Sequence, residues 1–74
     1  MKVITINVCG IRSSQKKGIF DWLSRSKADH ICMQETRALE DQIDNDNFIL
    51  KGYTRYMNIA VKKGYSGVAI YSKH

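Results

Sequence analysis

The chain contains no proline, no internal repeat and no low-complexity tract. Nothing in it therefore reads as a linker, and residues 1–74 are expected to belong to one domain. Only two cysteines occur, Cys9 and Cys32, both inside apolar runs; neither has a second cysteine at ligand spacing, and His30 and His74 stand alone. That scarcity excludes a disulfide framework and a zinc site by spacing. It leaves two buried, reduced thiols, as expected in a cytoplasmic protein. No run approaches the roughly 20 apolar residues of a membrane helix. Lys2 leads into an alternating pattern instead of a continuous apolar stretch, so neither a membrane span nor a signal peptide is expected. Acidic residues are also few: 7 Asp and Glu stand against 12 Lys and Arg, giving a formal net charge of +5. An excess of that sign favours a polyanionic partner.

What is present reads as alternating strand and helix. Residues 2–8 are rich in β-branched side chains and end at Gly10, the pattern of a first strand followed by a turn. Ile19, Phe20, Trp22 and Leu23 recur at helical spacing, which predicts a helix over 15–26 capped by Ser13 or Ser14. Phe20 and Trp22 are expected in its core face. The run His30-Ile31-Cys32-Met33 is short and apolar, as in a strand buried on both faces, with His30 in a structural role. Strand, helix and strand over this length predict a right-handed crossover between parallel strands, hence an α/β arrangement. Residues 39–47 are acidic and fit a short helix or a loop. Tyr53–Ile59 and Gly67–Ser72 fit two strands of an antiparallel hairpin around Lys62-Lys63-Gly64-Tyr65-Ser66.

The candidate chemistry sits at strand ends. Asn7 closes the first apolar run and Glu35 follows the second, so parallel pairing carries both to one rim of the sheet. Mg²⁺ takes one or two carboxylates, keeps several waters and accepts substrate phosphate, which makes Glu35 a candidate ligand and Asn7 a companion in the site. A single glutamate at a strand end is ordinarily a solvated rim residue, so the pair is suggestive by spacing alone. Gly10-Ile11-Arg12-Ser13, with Lys16 and Lys17, places backbone amides and positive charge between strand and helix, a setting that favours phosphate. The Lys62–Gly67 stretch suits a loop against a nucleic-acid backbone or groove. Each of these strings alone also reads as an ordinary polar turn.

Three strings in order, Ile4–Arg12, Ala28–Arg37 and Lys63–Ile70, resemble the exonuclease III and apurinic/apyrimidinic endonuclease family of the endonuclease/exonuclease/phosphatase superfamily. The resemblance implies a four-layer α/β sandwich of the DNase I-like type, of which this chain supplies the first strands of one sheet and one or two helices. It implies a hydrolase of DNA base excision repair that uses Mg²⁺, with Mn²⁺ the alternative ion, to cut double-stranded DNA at abasic sites and trim 3′ ends. By position, Glu35 and Asn7 match the metal-binding and catalytic pair. Gly10, Arg12 and Lys17 match positions that approach DNA phosphates, and Gly64 and Tyr65 match a loop that presses on DNA near the lesion. The chain is then the N-terminal piece of an exodeoxyribonuclease III, because the water-activating aspartate and the late Asp-His pair have no counterpart before His74. Cys9 stands where Asn or Asp is common, and Ile6 where an aromatic is common. The alternative reading is a non-catalytic basic module that binds nucleic acid or completes a sheet with the missing C-terminal part or another chain.

Overall fold

The computed structural model describes residues 1–58 and 67–74. In chain order the elements are β1 (Val3–Asn7), α1 (Ile11–Lys16), α2 (Ile19–Ser26), β2 (His30–Gln34), two 3₁₀ turns (Glu40–Gln42 and Asp46–Phe48), β3 (Thr54–Asn58) and β4 (Val68–Ser72). One four-stranded sheet runs in the order β1-β2-β4-β3. β1 and β2 are parallel, with Asn7 opposite Gln34, as the crossover pattern predicts. β3 and β4 form the expected antiparallel pair, Thr54 opposite Ser72 and Asn58 opposite Val68. β4 also pairs antiparallel with β2, so the return strand of the hairpin lies beside the strand that leads to Glu35.

Alternation along the strands decides which face is covered. Ile31 and Met33 of β2, with Ala69 and Tyr71 of β4, are buried against Ile11 of α1 and Phe20 and Leu23 of α2. Ile4, Ile6 and Met57 pack at the margin of this core. Enclosing one such side chain contributes about 1.5–3 kcal/mol, so this face carries most of the stabilisation. The opposite face is open: Val3, Tyr56, Val68 and Ile70 are exposed, and His30, Cys32 and Gln34 are only half-buried. β2 is thus covered on one face and not on both.

Residues 35–53 seal the far side of the core. Phe48 packs edge-on against Phe20, with ring centroids 5.8 Å apart, and Phe20 meets Tyr71 in the same way at 5.7 Å. Three long polar side chains pin this segment by its carbonyls or span from it. The Tyr71 hydroxyl donates to Phe48 O at 2.6 Å, Arg55 donates to Ile43 O at 3.0 Å, and the Tyr53 hydroxyl donates to Ala28 O at 2.5 Å.

The structure departs from the sequence pattern at several points. The single helix over 15–26 is two helices, because Gly18 adopts φ +92° and breaks the path between them. The first helix starts at Ile11 with Gly10, not Ser13 or Ser14, at its N-cap. Ser14 instead donates to Val8 O at 2.6 Å. Trp22 is 51% exposed, since Ile19, Phe20 and Leu23 already fill the stripe of α2 that faces the sheet. Residues 39–47 are neither one helix nor a plain loop: two 3₁₀ turns flank buried Ile43, and Asn45 caps the second by accepting from Asn47 N at 3.0 Å. Both cysteines are free thiols, yet Cys9 is exposed, because the chain turns outward at φ +46° just after β1. Ile59 and the Lys62–Ser66 stretch lie outside the described residues.

Candidate active site

The exits of β1 and β2 are zipped together beyond the last paired residues. Val8 N donates to Gln34 O at 3.0 Å, Gly10 N to Glu35 O at 2.8 Å, and Ile11 N to Thr36 O at 2.9 Å. Thr36 N in turn donates to Gly67 O at 3.0 Å, which ties the rim to β4. These bonds hold three non-glycine residues, Cys9, Glu35 and Arg37, at φ +46°, +55° and +51°. Side chains rarely adopt that region, and such residues persist where the surroundings over-determine them, often at functional sites. Here the consequence is directional: the backbone aims three chemically active side chains at one rim.

The Asn7 carboxamide donates through Nδ2 to Glu35 Oε2. Its orientation is fixed from the other end, because Asn7 Oδ1 accepts from Cys9 N at 3.0 Å and from Cys9 Sγ at 3.2 Å. An ionised carboxylate can only accept, so the amide nitrogen must face it. Arg37 Nη2 completes the bracket on Glu35 Oε1 at 2.6 Å. The Asn7 hydrogen bond holds the Glu35 carboxyl below the usual carboxylate range; desolvation opposes this, and the charge and hydrogen bond of Arg37 add to the lowering. At neutral pH the rim therefore carries a fixed carboxylate.

The structure brings Asn7 and Glu35 together, as the strand-end argument requires. Beside them α1 and the 37–48 segment enclose an open cleft of about 630 Å³, whose lining includes Gly10, Arg12, Ser13, Lys16, Arg37 and Asn47. Among the described residues that line it, three are cationic and none is a carboxylate. The backbone amides of Gly10 and Ile11 are committed to Glu35 O and Thr36 O, so neither of these two is available to a ligand here. Lys17 caps α1 and is not among the lining residues, whereas Lys16 is. Gly64 and Tyr65 lie outside the described residues.

The part played by Arg37 and the orienting role of Cys9 are not legible in the sequence. Neither leaves a signal in spacing, because each depends on a left-handed backbone at a non-glycine residue. His30 is structural as expected: its Nδ1 lies 2.9 Å from Ser72 Oγ, at the end of β2 away from Glu35. His74 lies on that same side, 3.6 Å from Asp29. Among the described residues no three His, Cys, Asp or Glu side chains converge as a metal cage. The ionised, solvent-accessible Glu35 carboxylate suits a hard, largely hydrated cation, which would take the place of an Asn7 or Arg37 donor on its oxygens.

Residues 4–74 match the Endonuclease/Exonuclease/phosphatase family, and the chain belongs to it. The exodeoxyribonuclease of Bacillus subtilis (strain 168) is 45% identical over 74 residues, covering 99% of this chain and 28% of that protein. DNA-(apurinic or apyrimidinic site) endonuclease 2 of Xenopus laevis is 39% identical over 74 residues, covering 99% of this chain and 14% of its own length. An AP endonuclease from Archaeoglobus fulgidus superposes with a TM-score of 0.82 at 36% identity, covering 99% of this chain and 27% of that one. The chain thus spans little more than a quarter of these relatives at most, and the architecture is that of the AP endonuclease fold.

Proposed function

We propose that this chain is the N-terminal part of a single-domain, Mg²⁺-dependent DNA phosphodiesterase that acts at abasic sites and 3′ ends in base excision repair. The observation that carries the reading is the bracketed, ionised Glu35 beside a cleft whose lining includes Arg12, Lys16 and Arg37. A rim carboxylate next to a phosphate-attracting cleft has the charge pattern that metal-assisted phosphodiester cleavage needs. Glu35 would hold the cation and Asn7 would keep the carboxylate in one orientation. When bound, Mg²⁺ supplies Lewis acidity at the phosphoryl oxygen and stabilises the leaving 3′ oxygen. Arg12 and Lys16 bind the DNA backbone and set its register without reading sequence.

Residues 1–74 alone are inactive in this reading. In it no residue of 1–74 serves as the water-activating base, and such a base commonly contributes about 10²- to 10⁴-fold. The test is cleavage of an abasic-site duplex by the polypeptide as the cell makes it. Mg²⁺-dependent cutting that Glu35→Ala abolishes supports the reading; cutting that survives Glu35→Ala or EDTA refutes it.

A second reading, a non-catalytic module that binds nucleic acid or completes a sheet with another chain, draws on the open face of Val3, Tyr56, Val68 and Ile70. DNA binding that falls with salt and ignores Mg²⁺, with no cleavage, would favour it.

A further inference from the structure

The guanidinium of Arg37 belongs to two places at once. Its Nη2 lies 2.6 Å from Glu35 Oε1, while Arg37 is also a lining residue of the cleft with Arg12 and Lys16. It is 48% exposed, and Glu35 is its one hydrogen-bond partner among the described residues. A guanidinium carries five N–H donors in a planar fork, so one bond to a carboxylate leaves most of its donors available. The backbone confirms that the placement is built: Arg37 sits at φ +51°, two residues after Glu35 at φ +55°, with buried Thr36 anchored between them by its N–H and its carbonyl.

We propose that Arg37 is a positioning residue that links the carboxylate rim to the cleft, orienting Glu35 with one edge while its remaining N–H groups bind a phosphate of the DNA backbone. The inference rests on the DNA-binding reading above and deepens it. The shared guanidinium makes the two contacts interdependent. While Glu35 is charged it holds part of the fork, and without that charge the whole fork is free to turn to phosphate. A lysine could supply the charge but not the fork, because its ammonium is a point charge on a flexible stem.

The experiment is duplex DNA binding in EDTA across a salt series, using the polypeptide as the cell makes it, with Arg37→Met, Arg37→Lys, Glu35→Gln and the Glu35→Gln/Arg37→Met double variant. Each phosphate contact contributes about one unit to the slope of log affinity against log salt. Arg37→Met is expected to reduce the slope by about one, and Arg37→Lys to restore it. Glu35→Gln is expected to bind more tightly than the wild type, with much of that gain missing in the double variant. An unchanged slope in Arg37→Met would show that Arg37 touches no phosphate. Strict additivity of the two substitutions would show that it does not link the sites. Either result overturns the inference while leaving the DNA-binding reading intact. Wild-type protein that binds no DNA, or binds without salt dependence, would overturn the reading itself and the inference with it.

Discussion

Asn7 and Glu35 lie 28 residues apart in sequence and share a hydrogen bond across the exits of two parallel strands. The amide of one sets both the direction and the charge of the other. Asn7→Ala is therefore expected to raise the Glu35 carboxyl toward its ordinary range, which a side-chain carbonyl NMR titration would resolve. The sign for stability follows from linkage: a depressed carboxyl stabilises the fold above its unfolded-state pKa and loses that contribution as pH falls through the folded-state value. Acid sensitivity from this group should accordingly shrink in Asn7→Ala.

Tyr71→Phe removes the donor to Phe48 O and leaves a buried carbonyl unpaired. The expected loss is about 1–3 kcal/mol in urea unfolding. Burial raises the Tyr71 phenol, partly offset by Arg55. A raised acid stabilises the fold below its unfolded-state pKa and loses that contribution as pH climbs toward the folded-state value. Wild-type stability should thus decline at alkaline pH above the ordinary tyrosine range, with a smaller decline in Tyr71→Phe.

Gly18→Ala tests the break between the helices. No atom lies within 4 Å of the position a Cβ would take, so the cost is purely conformational at φ +92°. A loss of about 1–2 kcal/mol is expected in thermal or urea unfolding. A neutral or stabilising outcome would show that α1 and α2 can merge without penalty.

Cys9 should be modified by a maleimide well before Cys32, because Cys9 is exposed and Cys32 is half-buried in the sheet. Peptide mass spectrometry after brief labelling would give the order. Cys32 reacting first would contradict the outward turn after β1.

How much of this was legible follows from what each residue's signal depends on. The strands announce themselves through β-branched runs, and the parallel crossover then places Asn7 and Glu35 on one rim with no further information. The hairpin of β3 and β4 is legible for the same local reason. Gly18 was in plain view, but a lone glycine inside a helical pattern is usually tolerated, and only tertiary packing decided that it would break the helix. Trp22 fell on the margin of the stripe, where periodicity cannot say which neighbour is wide enough to displace it. Lys16 and Lys17 look alike in sequence; which of them faces the cleft depends on helix phase once the start moves to Ile11. Arg37 and Cys9 required knowledge of backbone angles that sequence does not print.

Among the described residues, every group that brackets Glu35 lies between Asn7 and Arg37. During synthesis, the ribosome has therefore delivered Asn7, Cys9, Glu35 and Arg37 before any residue of β3 or β4 is polymerised. The later strands contribute the pairing along β2 and the Gly67 carbonyl that receives Thr36 N, locking in place a carboxylate whose Asn7 and Arg37 partners were made first.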